Sequence, residues 1–162
     1  MPPTGGLGMN TGIQDAHNLA WKLAMILNHN FSSSLLNTYY MERAPIAQRN
    51  IQWSSQNATR YVEIARAINA GDTQLLAKKL QEQQDSLNYV GLDLGYIYHS
   101  PAIFSENDQT ISTAPAEYIP TTLPGNRAPH MELIDKNKTI SVLDLFEKDF
   151  VLLTGARVNG NR

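Results

Sequence analysis

The sequence predicts an α+β chain, with a helical N-terminal half followed by short antiparallel strands. Apolar residues recur at spacings of three and four between Ile13 and Leu80, whereas beyond residue 85 aromatic and β-branched residues sit among turn formers. The length of 162 residues, with 42% apolar and 17% charged side chains, suits a globular unit of about one average domain that needs no disulfide to hold its core.

Met1 to Asn10 contains Pro2, Pro3, Gly5, Gly6 and Gly8, and is predicted to be a loop. A helix follows. Its apolar stripe is Ile13, Ala16, Ala20, Leu23, Ala24 and Leu27, and Asp15, Asn18 and Lys22 share another face. Thr11 and Gln14 have the spacing of a capping box and Asn10 is a good N-cap, so the helix is expected to begin within a residue of position 11. His17 is expected beside the helix core.

The second helix runs from Ser32-Ser33-Ser34 through Leu35, Leu36, Tyr39 and Tyr40 to Arg43, and Pro45 is expected to kink or break it. Beyond the break Ala58, Tyr61, Val62, Ala65 and Ile68 form an apolar stripe that ends near Asn69-Ala70-Gly71. Asp72 then caps a third helix reaching about Gln84, with Leu75, Leu76 and Leu80 inward.

From residue 85 onward Tyr96, Tyr98, Ile103, Ile111, Tyr118 and Ile119, among Asn107-Asp108 and Pro124-Gly125, predict short strands and hairpins. Thr139 to Val142 leads into a helix-like Leu143 to Phe146. Phe150 to Thr154 is expected to be a buried strand, and a lone apolar strand before Gly155 to Arg162 implies that further fold belongs beside it.

Composition excludes several chemistries. The chain has no cysteine, so a disulfide framework, a cysteine zinc site, a thiol nucleophile and a redox pair are all ruled out. With 13 basic and 15 acidic residues and no basic run longer than Lys78-Lys79, nucleic acid is not an expected partner. Leu19 to Leu27 contains Lys22 and is too short for a membrane span, and no secretory signal is present, so a cytoplasmic protein is expected. His17, His29, His99 and His130 lack metal-ligand spacing, so no metal site is expected. His130 is expected to anchor a loop by hydrogen bonds. Trp21, Trp53, Tyr39 and Tyr40 read as packing residues, and Glu42-Arg43 as a pair that holds helix to sheet.

The chemistry-bearing feature is the glycine-rich entry to the first helix. Gly5, Gly6, Gly8 and Gly12 permit close approach to backbone, and a helix start offers unpaired N–H groups at the positive end of its dipole. Gly6-x-Gly8-x-x-x-Gly12 misses the dinucleotide-binding spacing by one residue, and no lysine completes a phosphate loop. On glycine pattern alone, a plain helix-entry loop and a ligand site both stand.

The stretch from Pro2-Pro3-Thr4-Gly5-Gly6-Leu7-Gly8-Met9-Asn10 through Thr11-Gly12-Ile13-Gln14-Asp15-Ala16-His17-Asn18 to Ala24 resembles the C-terminal flavin-contacting segment of FAD-dependent aromatic hydroxylases. Tyr39-Tyr40-Met41-Glu42-Arg43-Ala44-Pro45, Leu94-Gly95-Tyr96-x-Tyr98-x-Ser100-Pro101, Pro124-Gly125-x-Arg127-Ala128-Pro129-His130 and Asp144-Leu145-Phe146 resemble the phenol and polyketide hydroxylase branch. The resemblance implies FAD as cofactor. It places the backbone of Gly8, Met9 and Asn10 at the pyrimidine edge of the flavin and Pro3 near the face that meets oxygen. It offers no catalytic base.

The family's GxGxxG segment and pyridine-nucleotide region have no counterpart here. The resemblance therefore implies a fragment, with residues 1–123 carrying the flavin-edge helix, helical region and hairpins, and 124–162 a linker and the truncated start of a thioredoxin-like domain. Such a fragment is expected to be inactive alone, the missing GxGxxG part being supplied either by in-frame sequence upstream of Met1 or by a separately encoded FAD-binding chain. The alternative is a non-catalytic association module, a homodimer for example, that no longer binds flavin.

Overall fold

The computed structural model describes residues 1–104, 114–146 and 150–154. Four helices lead the chain: α1 (Leu7–His29), α2 (Leu35–Ala70), α3 (Thr73–Asp85) and α4 (Val90–Leu94). A hairpin of β1 (Glu132–Asp135) and β2 (Lys138–Ser141) follows, and a single 3-10 turn (Val142–Leu145) comes after it. The chain is mainly helical, with a small two-stranded antiparallel sheet among the described residues.

Helix α1 begins at Leu7, not near Thr11. Gly5 (φ 103°) and Gly6 (φ 67°) take left-handed conformations, which turn the chain directly into the helix. A Cβ on Gly5 would run into the Trp53 ring, so the loop lies flat on α2. The Thr4 hydroxyl fastens it there by donating to the Ser54 carbonyl at 2.6 Å. The expected Thr11–Gln14 capping box does not form. Thr11 sits inside the helix, where its hydroxyl donates to the Leu7 carbonyl at 2.7 Å.

The packing of α1 reverses the ordinary reading of its pattern. Thr11, Asn18 and Lys22 are buried against α2, whereas Ile13, Ala16, Ala20, Leu23, Ala24 and Leu27 are exposed. His17 is exposed as well, rather than beside a core. The same inversion recurs on α2, where Tyr61, Val62, Ala65 and Ile68 face outward and Asn57 and Ala67 face inward.

Pro45 does not break α2, which runs as one helix of 36 residues. Proline removes the N–H that the Met41 carbonyl would have used, but Pro45 and Met41 are both exposed, so water can satisfy that carbonyl. The Asp72 cap does form, its carboxylate accepting from the Leu75 amide at 2.9 Å. Leu75 and Leu80 nevertheless stay exposed and Leu76 is half-buried. The α2–α3 seam is polar: Gln83 donates to Asn57 at 2.9 Å, and Lys79 pairs with Glu63 at 2.9 Å.

The expected strands around Tyr96, Tyr98, Ile103, Tyr118 and Ile119 reduce to one isolated bridge, Ile97 with Asn126. Competing contacts explain this. The Gly91 amide donates to the Pro115 carbonyl at 2.9 Å, tying the 114–117 segment to α4. Asn107, Asp108, Ile111 and Gly155 to Arg162 lie outside the described residues.

The hairpin pairs Glu132 with Ser141 and Asp135 with Lys138 across a turn in which Lys136 (φ 45°) and Asn137 (φ 70°) are both left-handed. The helix-like segment after Thr139 to Val142 is the 3-10 turn, capped reciprocally by Ser141 and Asp144. Phe150 to Thr154 is neither strand nor buried; Phe150 meets Trp21 edge-on, centroids 5.9 Å apart.

Candidate functional site at the tip of helix α1

A helix that starts after Gly6 leaves its first amides, through Met9, without intrahelical acceptors. No side chain caps them, and the first turn carries no acidic residue. Gly8 has no side chain to shield its amide, and a Cβ built there would meet only the Met1 sulfur, at 3.8 Å. Gly8, Met9 and Pro3 are all exposed at this end. Of the three backbone positions predicted for a flavin edge, Gly8 and Met9 keep amides free of the helical ladder. The Asn10 amide is the first that bonds back toward Gly6, and its side chain also reaches the Gly6 carbonyl, at 3.4 Å.

The tip is held by a polar seam between α1 and α2. Arg43 is 2% exposed and its guanidinium serves four partners. Nε donates to Asp15 at 2.6 Å and Nη1 to the Tyr98 hydroxyl at 2.9 Å. Nη2 donates to the Gln14 side chain at 3.2 Å and the Thr11 carbonyl at 3.4 Å. A planar fork of donors suits such a divided task, and a lysine could not reproduce it. Closer to the tip, Asn50 donates to the Thr11 hydroxyl at 3.0 Å, and the cluster of Leu7, Trp53 and Leu92 closes the seam.

Deeper along the helices, Glu42 accepts from Asn18 at 2.7 Å, Lys22 at 2.6 Å and Ser100 at 2.6 Å. Burial pushes its carboxyl upward, but the hydrogen bonds from Asn18, Lys22 and Ser100 and the Lys22 charge outweigh it and hold the pKa below the ordinary glutamate value. Burial likewise opposes the Arg43 charge, and Asp15 and Tyr98 outweigh it, raising that pKa. The Tyr98 phenol is pushed up to about 12, by burial first and Tyr96 second, against the pull of Arg43.

Glu42 and Arg43 are therefore both buried and pair with Lys22 and Asp15 rather than with each other. Each bonds α1 on one side and the 98–100 segment on the other. A holding role was expected of them, as a pair joining helix to sheet; their separate partners on α1 and the 98–100 segment were not, although one signal was present: Tyr98 and Ser100 are two apart, the spacing that lets both point toward adjacent residues of one helix turn.

The histidines stand apart from this tip. His99 and His29 are exposed, and His130 Nδ1 lies 2.8 Å from the Ser141 hydroxyl, where it anchors a loop. Met1 to Asn10 contains no Asp, Glu, His, Lys or Tyr. The tip can orient and polarise an electron-rich group and has no proton acceptor of its own. An uncapped turn without carboxylates is the donor set that the carbonyl-bearing rim of a flavin calls for, so the residues fit that group.

Comparison with known proteins agrees with this chemistry. A family model described as "FAD binding domain" matches residues 1–54, the stretch that holds the tip and most of its anchors. The chain is 40% identical over 161 residues to 4-methyl-5-nitrocatechol 5-monooxygenase of Burkholderia sp, covering 96% of this chain and 27% of that protein. It is 34% identical over 183 residues to 2,4-dichlorophenol 6-monooxygenase of Cupriavidus pinatubonensis, covering 95% of this chain and 31% of that protein. Among solved structures it superposes on the flavin-dependent monooxygenase PieE, in complex with FAD and substrate, with a TM-score of 0.77 and 27% identity. That match covers 91% of this chain and 30% of PieE. The chain thus spans between a quarter and a third of the length of these relatives. In sequence and fold it is similar to the FAD-dependent aromatic hydroxylases, a family whose cofactor is FAD.

Proposed function

We propose that this chain supplies the flavin-edge wall of an FAD-dependent monooxygenase that hydroxylates a phenolic ring with NAD(P)H and oxygen. Bound FAD supplies the redox chemistry of such an enzyme. The chain's own residues orient it: the Gly8 and Met9 amides, with the dipole of α1 behind them, favour negative charge on the flavin's pyrimidine rim. An effect of this kind is worth ~0.3–1 kcal/mol, and up to ~2 when partly buried. Pro3, which has no N–H, gives a rigid wall without a competing donor. The seam through Arg43, Asn50 and Glu42 sets where the tip stands.

The uncapped, carboxylate-free turn at Gly8 and Met9, within a stretch matched by an FAD-binding family model, carries this reading. These 162 residues hold no GxGxxG segment, so the ADP half of FAD must be held by other sequence, and turnover by this chain alone is not expected. Residues 124–162 are assigned to a linker and the start of a thioredoxin-like domain, and the setting to the cytoplasm; among the described residues no helix is long and apolar enough to cross a membrane.

Flavin titration tests the proposal. With the ADP half held elsewhere, tight FAD binding by this chain alone is not expected; quenching of flavin fluorescence at micromolar protein, weakened in Gly8→Val, would support a surviving flavin edge. No response, together with a homodimer in solution, would favour a non-catalytic association module, the reading that the exposed apolar faces suggest.

A further inference from the structure

We propose that Trp53 and Tyr89 form a two-step relay that carries an oxidising equivalent from the underside of the α1 tip to the protein surface; its purpose, though not its path, rests on the function proposed above. The path is set by contact. Trp53 is 6% exposed and its ring lies against Gly5, three residues before Gly8, so closely that a Cβ there would run into it. The same ring meets Tyr89, tilted at 57° with centroids 4.9 Å apart, which is direct contact for an aromatic pair. Tyr89 is half-buried and only borders the cluster of Leu7, Trp53 and Leu92, so the two rings lead from buried ground beneath the tip to water.

The chemistry of the two side chains suits that path. Indole, phenol and thiol are the side-chain groups that give up a single electron most readily, and this chain has no cysteine. Met1 to Asn10 holds no Trp or Tyr, so the electron donor that the tip backbone touches is Trp53. The other tryptophan, Trp21, stands about 21 Å from the Leu7 end of α1 and meets Phe150, which cannot pass the oxidation on. Each step balances. A one-electron oxidant derived from partly reduced oxygen takes an electron from the Trp53 indole, whose N–H proton goes to water. Tyr89 then gives an electron to the indolyl radical, which recovers a proton from water, and the Tyr89 hydroxyl releases its own proton to solvent. A thiol or ascorbate in solution returns an electron and a proton to the Tyr89 oxygen and is itself oxidised. The relay thereby spares the ring on which the tip loop rests.

The test is pulse radiolysis of this chain with azide radicals, small one-electron oxidants that attack indole in preference to phenol. Every sample carries Trp21→Phe, which leaves Trp53 as the one indole. A Trp53 indolyl radical is expected, its absorbance decaying as that of a tyrosyl radical rises, at a rate independent of protein concentration. Tyr89→Phe keeps the ring and its packing; it should abolish that phase and leave the indolyl radical long-lived. After a radical dose, mass spectrometry should find oxygenated Trp53 in Tyr89→Phe and much less in its parent. Absence of the Trp53 radical, or conversion to tyrosyl that persists in Tyr89→Phe, overturns the proposal. Contact for packing alone predicts equal oxygenation of Trp53 in both proteins, and that result overturns it too. Azide radicals need no flavin, so failure of the relay and failure of the flavin reading are separate results: an operating relay in a homodimer that gives no flavin response keeps the path and removes the flavin reading.

Discussion

Replacing Lys22 by methionine tests the seam that positions α1. Lys22 is 0% exposed and sits 2.6 Å from Glu42, itself 3% exposed, so the substitution keeps the volume and strands a buried carboxylate. Removing one partner of a buried ion pair costs about 3–5 kcal/mol, against about 0–1 for an exposed pair. For a chain of this size each kcal/mol is about 2–4 °C in melting temperature, so a fall of roughly 6–20 °C near neutral pH is expected by far-ultraviolet circular dichroism.

The pH dependence is the sharper readout. In the wild type the Glu42 pKa lies below its unfolded value of 4.5, so its contribution is complete above that pH and is lost as pH falls through the folded pKa. In Lys22→Met the counter-charge is gone and burial dominates, which raises the folded pKa above the unfolded one. That variant gains stability when Glu42 is protonated and loses it as pH rises. The two melting curves should therefore converge toward about pH 4 and diverge toward about pH 7. Adding Glu42→Gln to Lys22→Met should recover at least half the loss at neutral pH, since no unpaired buried charge remains. A loss below about 1 kcal/mol, or a gap that does not change with pH, would refute a buried, charge-dependent seam.

Other substitutions probe single features. Gly5→Ala places a Cβ against Trp53 at a left-handed φ and should cost on the order of 1–3 kcal/mol, read as a lower melting temperature. Arg43→Lys keeps the charge but cannot serve Asp15, Tyr98, Gln14 and the Thr11 carbonyl together; a loss of roughly 1–3 kcal/mol by urea unfolding is expected, with Tyr98→Phe losing about 1. Asp72→Ala removes the α3 cap and should cost about 0.5–2 kcal/mol, with faster amide exchange at Leu75.

Much of the local structure was legible in the sequence. Helical spacing located the first three helices, Asp72 marked the start of α3, and Leu143 to Phe146 declared its tight turn. These are short-range effects, set by a residue and its neighbours within one turn. The start of α1 was missed by four residues because Thr11 and Gln14 imitate a cap, while the real start is made by left-handed Gly6 and by Gly5 pressed onto Trp53, 48 positions away in the chain. The expected strands were lost for a similar reason, since 114–117 found partners on α4 instead of an edge.

By itself the sequence determined where the helices lie, that one of them opens with a glycine-rich tip free of carboxylates, and which family the pattern resembles. Only the tertiary structure decided which side of α1 faces inward. Periodicity records that polar and apolar residues lie on opposite sides; it does not say which side is covered. Lys22, Asn18 and Arg43 are tolerable in the interior only because Glu42 and Asp15 meet them across the seam, and a match between charges from separate helices exists only once the helices are packed.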